Sequence, residues 1–132
     1  MKFYAISENH LYKKAYKTGK RKSSNTVTVY VLRDKMRGIL RKQNPEKELI
    51  NRIGISASKK IGGAVQRNRA KRLVREAYRQ TDKERGVKKG NLIVIVPRTE
   101  CTVSKMQDVK RDLQYCLSKL EMLEERPGTK TE

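Results

Sequence analysis

Residues 59–79 read K-K-I-G-G-A-V-Q-R-N-R-A-K-R-L-V-R-E-A-Y-R, and this stretch decides the fold of the chain. When its residues are placed 100° apart, the apolar and basic side chains fall on two separate stripes. The pattern predicts a helix from about residue 64 to residue 80, with an apolar face for docking. The apolar stripe holds Ala70, Leu73, Val74, Ala77 and Tyr78, and the basic stripe holds Arg67, Lys71, Arg72, Arg75 and Arg79, with Asn68 among them.

The basic stripe carries almost no compensating acid. A charged stripe is often a solvated surface, but such a surface usually mixes signs, which limits self-repulsion. Glu76 is the single acid of residues 59–79, and it lies to one side of the stripe. Five cations and an amide on one face, with an apolar face behind them, suit a nucleic-acid backbone.

The whole chain is basic, and its length fits one domain. Its 132 residues hold 33 Lys and Arg against 14 Asp and Glu, for a formal charge of +19. The excess lies in residues 1–102, because residues 103–132 hold six bases and six acids. Such a field recruits polyanions and makes their binding salt-dependent through counterion release.

The composition argues against a membrane protein, a disulfide scaffold and a zinc protein. No apolar run approaches the roughly 20 residues of a spanning helix, and Met1 to Thr18 lacks the apolar centre of a signal peptide. We therefore expect a cytoplasmic protein without a membrane partner. Cys101 and Cys116 are expected to be reduced thiols, and His10 stands alone without Cys/His spacing.

Hydrophobic periodicity predicts the remaining elements. We expect a short helix at 7–17, half-buried strands at 26–32 and 52–58, a strand covered on both faces at 91–96, and a last helix at 103–124. Between them we expect a basic loop at 18–25 and a charged insertion at 33–50, with room for a short strand at 47–51. This order predicts one α+β domain at 1–125, a mostly antiparallel sheet carrying helices, and a flexible tail at 126–132.

The sequence offers no candidate catalyst but does offer a candidate RNA groove. Clustered carboxylates, a histidine pair and the glycine motifs of nucleotide sites are not visible. Tyr12 and Tyr16 lie one turn apart, and Tyr30 lies on the non-core face of its strand beside Thr28 and Ser56. If the first helix crosses that face, the rings form a platform for unstacked bases of single-stranded RNA. The alternative is that they only attach the helix to the sheet.

Residues 53–75 read I-G-I-S-A-S-K-K-I-G-G-A-V-Q-R-N-R-A-K-R-L-V-R. This segment resembles the signature of the bacterial ribonuclease P protein family. Its R-N-R core occupies residues 67–69. L-Y-K-K-A-Y-K-T-G at 11–19 is similar to the family's first helix, with Tyr12 and Tyr16 at positions usually held by phenylalanine. Tyr30 matches the family's strand tyrosine.

The resemblance implies a two-layer α-β-β-β-α-β-α sandwich, like one domain of a small-subunit ribosomal protein. A left-handed βαβ crossover surrounds the R-N-R helix, against the usual rule. It also implies tRNA 5′ maturation: an RNA subunit performs phosphodiester hydrolysis with Mg²⁺ held mainly by RNA and substrate. The protein would then be the subunit of an endonuclease with no catalytic or metal-binding residue of its own. It would bind ribonuclease P RNA and precursor tRNA, and lower the Mg²⁺ requirement.

The resemblance also assigns residues to two surfaces. Those facing the catalytic RNA are Arg67, Asn68, Arg69, Lys71, Arg72 and Arg75, with Lys60. Those lining the groove for the single-stranded 5′ leader are Tyr12, Tyr16, Thr28, Tyr30, Ser56 and Lys59.

Two other functions fit parts of the sequence. A ribosomal or general RNA-scaffolding protein explains the size and charge, but it gives the three tyrosines no shared task. A DNA-binding regulator would need a partner helix just before the basic one, where residues 52–58 predict a strand. The insertion at 33–50 carries both signs of charge, and an extra RNA contact there is an open possibility.

Overall fold

The computed structural model describes residues 3–6, 9–33 and 51–124, with the backbone alone for residues 3–5. The predicted charged insertion, the short strand at its end and the C-terminal tail fall outside these residues, apart from Arg33 and Asn51 at the edges.

The described residues form one α+β unit of five strands and three α-helices. The strands are β1 Phe3–Ala5, β2 Lys20–Ser23, β3 Val27–Arg33, β4 Asn51–Ile55 and β5 Asn91–Pro97. The helices are α1 Asn9–Thr18, α2 Ala64–Glu84 and α3 Met106–Lys119. Two 3-10 turns, Lys59–Ile61 and Thr99–Val103, precede α2 and α3.

The five strands form one mixed sheet in the order β1-β4-β5-β3-β2. Strands β1, β4 and β5 run parallel, whereas β3 pairs antiparallel with both β5 and β2. The sheet is therefore less antiparallel than the sequence suggested. Helix α2 connects the parallel neighbours β4 and β5, which gives the βαβ crossover. The left-handedness of that crossover stays a prediction from the resemblance.

Two strands are not predicted by the sequence because they show no hydrophobic period. Residues 18–25 were predicted as a loop, but Lys20–Ser23 pair with Thr28–Val31 as an edge strand. Its side chains are mostly exposed, so backbone hydrogen bonds alone reveal it. The three residues of β1 likewise pair with β4 from Phe3 opposite Asn51 to Ala5 opposite Ile53.

The last two helices also differ from the predicted limits. Helix α2 continues beyond residue 80 to Glu84. Helix α3 begins at Met106 because residues 99–103 form a 3-10 turn that leaves Val103 exposed. Gly62, with a φ of 141°, lies between the first 3-10 turn and α2, in a backbone region that favours glycine.

The main core lies between one sheet face and helices α2 and α3. Val27, Val29 and Val31 point into it, as the alternation of β3 predicted. Ile93 and Ile95 join them from β5. Full burial of such side chains stabilises the fold by roughly 1.5–3 kcal/mol each.

Helix α1 packs on the opposite face of the sheet. Ala15 is fully buried there with Leu92 and Val94 of β5, beside Tyr12 and Tyr30. Strand β5 is therefore covered on both faces, as its continuous apolar run predicted. Helix α1 adds a layer to the sandwich of sheet, α2 and α3, and its position across the non-core face creates the groove.

Candidate nucleic-acid interface

Three tyrosines meet where α1 crosses the sheet. The rings of Tyr16 and Tyr30 contact edge to face, with centroids 4.9 Å apart and an interplanar angle of 70°. Tyr16 is 41% exposed, so part of its ring remains open to a ligand. Tyr12 and Tyr30 are half-buried and also pack against the small core under α1. The rings therefore attach the helix and present an aromatic surface at once.

Tyr12 lies directly against the backbone of Gly54. A Cβ atom at Gly54 would lie 2.5 Å from the Tyr12 hydroxyl and 2.7 Å from its ring carbons, closer than real Cβ contacts come. The Tyr12 hydroxyl lies 3.5 Å from the Ile6 carbonyl oxygen and donates to it. Burial, and then the neighbouring Tyr16, raise the pKa of Tyr12, so the phenol stays protonated.

An open depression of about 460 Å³ extends from these rings toward α2. Tyr12, Tyr16 and Ser56 line it, and Lys13 and Lys71 supply cations. The structure thus brings Tyr12, Tyr16 and Ser56 together as predicted, with Tyr30 against Tyr16.

Two residues predicted for this groove lie apart from the depression. The Thr28 hydroxyl is 3.1 Å from the Ser23 hydroxyl, in a hydrogen bond between β3 and β2. Lys59 is exposed in the 3-10 turn after β4. Neither lines the depression, whereas Lys71, which was predicted to face the catalytic RNA, does.

The basic side chains of α2 lie on different sides of the helix and have different partners. Residues four apart on a helix advance by only 40°, so Arg67, Lys71 and Arg75 form one row. This row turns toward α1: Lys71 and Arg75 both line a pocket with Tyr12. Arg67 is half-buried, and its Nε is buried without a hydrogen-bond partner among the described residues.

Arg69 turns to the opposite side of the helix. Its Nε donates to the Thr102 carbonyl oxygen at 3.2 Å, and a terminal nitrogen donates to that of Ser104 at 3.4 Å. The guanidinium therefore joins α2 to the segment before α3. On the helical wheel, Arg69 belongs to neither stripe. Only the resemblance places it on the surface that faces the catalytic RNA.

Arg79 is paired within the helix. Its Nε donates to Glu76 at 2.9 Å, and a second nitrogen also contacts that carboxylate. These hydrogen bonds, with one from Gln80, lower the pKa of Glu76 to about 2. Asn68 and Arg72 remain on the outer face, both exposed, and in the described part of the chain Arg72 makes no hydrogen bond or ion pair. Lys60 is exposed in the turn before the helix.

The described residues contain no cluster of metal-ligating side chains. Within them, no three His, Cys, Asp or Glu side chains are grouped so as to hold a metal ion. No helix in the described ranges is long and apolar enough to cross a membrane. Cys101 and Cys116 are free and buried, and burial raises the pKa of the Cys101 thiol to about 11.

Known proteins resemble this chain over nearly its full length. The family model Ribonuclease P matches residues 1–121. The chain belongs to the ribonuclease P protein family. The ribonuclease P protein component of Clostridium acetobutylicum is 35% identical over 119 residues, which is 90% of each chain. That of Dehalococcoides mccartyi strain CBDB1 is 38% identical over 86 residues, covering 63% of this chain and 68% of the relative. The predicted family and the predicted role as a protein component of ribonuclease P are confirmed.

Solved structures agree on the fold. The RNase P protein of Staphylococcus aureus matches with a TM-score of 0.70 at 24% identity, covering 93% of this chain and 100% of the other. The RNase P protein of Thermotoga maritima matches with a TM-score of 0.64 at 24% identity, covering 82% and 89%. The predicted α+β fold class of the ribonuclease P protein family is confirmed.

Sequence reasoning missed Gly54, Lys13 and Asn9, which contact or line the groove. A glycine inside an alternating strand is itself a signal for close approach of another group. Lys13 and Asn9 gave no comparable signal, because only the placement of α1 brings them to the depression.

Proposed function

We propose that this protein binds the RNA subunit of ribonuclease P with the outer face of α2, and the single-stranded 5′ leader of precursor tRNA in the groove under α1. The observation that carries the proposal is that an aromatic depression and a basic helix share one residue, Lys71. A scaffolding protein has no use for this groove, whereas a subunit that joins RNA to substrate needs both surfaces side by side.

The outer face of α2 suits a folded RNA backbone. Asn68 and Arg72 are exposed there, and Lys60 extends the surface from the preceding turn. Arginine donates in a fork that matches phosphate oxygens. We assign no phosphate contact to Arg69 and Arg79, because their guanidinium groups already bind carbonyl oxygens and a carboxylate within the protein.

The groove suits an unpaired strand. Bases stack on exposed aromatic rings with little regard for sequence, and Tyr16 offers such a ring beside Tyr30. Lys13 and Lys71 are placed to contact the phosphates between successive bases. Thr28 and Lys59 would contact the leader only where it extends beyond the depression.

Charge neutralisation explains how the protein assists the RNA subunit. Catalytic RNA and precursor tRNA are both polyanions, and their approach is opposed unless cations screen them. A protein of formal charge +19 supplies fixed cations at the junction, which lowers the Mg²⁺ and salt that the RNA needs. The described residues offer no cluster of oxygen ligands that fits Mg²⁺, so we assign the ion and the hydrolysis to the RNA and substrate. We place this activity in the cytoplasm.

A binding measurement with and without the leader tests the proposal. The reconstituted complex of RNA and protein should bind precursor tRNA more tightly than leaderless tRNA. Tyr16→Ala should reduce this difference by about fivefold or more, since base stacking contributes about 1–3 kcal/mol. Tyr16→Phe is the matched control and should retain it. If precursor and leaderless tRNA bind equally with wild-type protein, the groove does not bind the leader.

Cleavage assays test the division of labour. The protein alone should cleave nothing, and adding it to a ribonuclease P RNA at low Mg²⁺ should restore cleavage of precursor tRNA. Cleavage by the protein without RNA would show that a catalytic group exists in the chain, and would refute the assignment of hydrolysis to RNA.

A further inference from the structure

A second exposed tyrosine ring lies on the side of the sheet away from the groove. Tyr115 of α3 is 45% exposed, slightly more than Tyr16 in the groove. The Lys22 Nζ atom lies over the Tyr115 ring at 5.6 Å from its centroid, and the Lys119 Nζ atom lies at 5.8 Å. Tyr115, Lys22 and Lys119 together form the Tyr115 patch.

Strand pairing places this patch on the face of the sheet that α2 and α3 cover. Residues directly opposite each other in an antiparallel pair share a face. Lys22 lies opposite Val29, which points into the main core. The adjacent Arg21 lies opposite Tyr30, on the groove face. Strand β2 is the last strand of the sheet, so Tyr115 meets Lys22 at the outer edge.

The two ammonium groups of the patch are not neutralised within the described part of the chain. On α3, Lys110 pairs with a carboxylate of α2 at 3.0 Å, and Arg111 pairs with two carboxylates of its own helix. Neither Lys119 nor Lys22 makes an ion pair with any described residue. Strand β2 reads K-R-K-S and adds no acid. An exposed ring between two unpaired cations suits an anionic partner with flat rings, which is the chemistry of single-stranded RNA.

A base can take the place of a lysine on the ring. Stacking of a base on an aromatic side chain strengthens binding by about 5- to 100-fold, whereas an exposed cation–π contact corresponds to about two- to fivefold. The stacked base therefore displaces the ammonium group. The ammonium groups remain beside the ring, where they can contact the phosphates on either side of the base.

The position of the patch indicates which RNA it contacts. Helix α2 lies over β4 and β5, and α3 lies over β3 and β2, on the same face of the sheet. An RNA on the outer face of α2 is therefore on the side of the sheet that carries Tyr115. The groove for the leader opens on the opposite face.

We propose that the Tyr115 patch is a second binding site for ribonuclease P RNA, in which an unpaired base stacks on Tyr115 while Lys22 and Lys119 contact the neighbouring phosphates. The inference rests on the proposed binding of the RNA subunit and adds to it a contact outside α2. Two separate contacts fix the orientation of the protein on the RNA, and hence the direction in which the groove faces.

The affinity for ribonuclease P RNA tests the ring. Tyr115→Leu should weaken binding by about 5- to 100-fold, because it keeps an apolar side chain but removes the stacking surface. Tyr115→Phe is the matched control and should bind as the wild-type protein does. Both variants are first tested for cooperative thermal unfolding. Equal affinity of the two variants would show that Tyr115 only attaches α3 to β2, and would overturn the proposal.

The salt dependence of the same binding tests the lysines. Lys22→Gln and Lys119→Gln should each lower the slope of log affinity against log salt by about 0.7, the contribution of one phosphate of a single strand. Lys88→Gln, which removes an exposed charge outside the patch, should leave the slope nearly unchanged. If neither patch variant changes the slope, these lysines do not contact phosphates and the proposal is wrong.

A fluorescence measurement separates stacking from a purely structural role. The chain contains no tryptophan, so the Tyr115→Trp variant carries a single indole. Its emission should be quenched by ribonuclease P RNA in the absence of precursor tRNA. Quenching that requires precursor tRNA would place the substrate at the patch and overturn the proposed partner. Unchanged emission with both RNAs would show that no base stacks there.

The outcomes distinguish this inference from the proposed function. If wild-type protein does not bind ribonuclease P RNA, the proposed function itself fails. If Arg72→Gln weakens binding and Tyr115→Leu does not, the outer face of α2 is right and the patch is wrong. If Tyr115→Leu weakens binding and Arg72→Gln does not, the patch is right and the assignment of α2 is wrong.

Discussion

Arg72 is predicted to contact a phosphate of ribonuclease P RNA, and replacing it with glutamine should change the salt dependence of binding. Arg72 lies on the outer face of α2, exposed and without an ion pair among the described residues. Its guanidinium is therefore available to displace a counterion from the RNA. Arg69 carries the same charge one turn earlier, but its guanidinium is bound to the carbonyl groups of Thr102 and Ser104.

The expected size of the effect follows from one phosphate contact. Losing a hydrogen bond to a charged group costs about 1.5 kcal/mol at the low end, or roughly tenfold in affinity. Each neutralised phosphate contributes about 0.9 to the slope of log affinity against log salt. Over a fourfold rise in salt, the deficit of Arg72→Gln should therefore shrink about threefold, from roughly tenfold to roughly threefold.

The assay is the affinity of each variant for ribonuclease P RNA, measured between about 50 and 200 mM salt. Lys88→Gln, which removes an exposed charge near the start of β5, controls for the general field and should leave the slope nearly unchanged. Arg69→Gln should also leave the slope nearly unchanged, but should lower the free energy of unfolding by about 0.5–1.5 kcal/mol. If Arg69→Gln reduces the slope as much as Arg72→Gln does, the assignment of the Arg69 guanidinium to contacts within the protein is wrong.

Three further predictions concern the protein without RNA. Asn51→Ala should lower the free energy of unfolding in urea by about 1–3 kcal/mol, because it removes two hydrogen bonds of a fully buried side chain, one donated to the Tyr78 hydroxyl and one accepted from the Asn91 N–H; an unchanged midpoint would contradict this. The folded-state pKa of Glu76 is lowered to about 2 from 4.5. The stabilisation from its pairing with Arg79 is therefore fully present at a pH above the unfolded-state pKa of Glu76, and it is lost as the pH falls toward 2. An NMR titration of the carboxyl should show this midpoint, and Arg79→Gln should return it toward 4.5. The Cys101 thiol, with its pKa raised to about 11, should stay unreactive toward a disulfide reagent at pH 8 until the protein unfolds; rapid reaction of folded Cys116→Ser protein would refute this.

The sequence by itself determined the helices and strands in which the order of apolar and polar side chains follows their burial. The stripes of residues 64–80, the alternation of Val27, Val29 and Val31, and the apolar run at 91–96 each reflect burial, so periodicity located α2, β3 and β5. The R-N-R segment added the family. Tyrosines on α1 and β3 predicted an aromatic groove, and Tyr16 and Tyr30 do contact there.

Only the tertiary structure decided which side chain serves which surface. Strands β1 and β2 are held by backbone hydrogen bonds, which leave no pattern in the side chains. A helical wheel places cations on one side of a helix, but it does not show which other parts of the chain pack against that side. Hence it could not show that Arg69 binds the segment before α3, or that Lys71 and Arg75 turn toward α1. The contact between Gly54 and Tyr12 joins residues 42 positions apart, and such contacts depend on the packing of the whole chain.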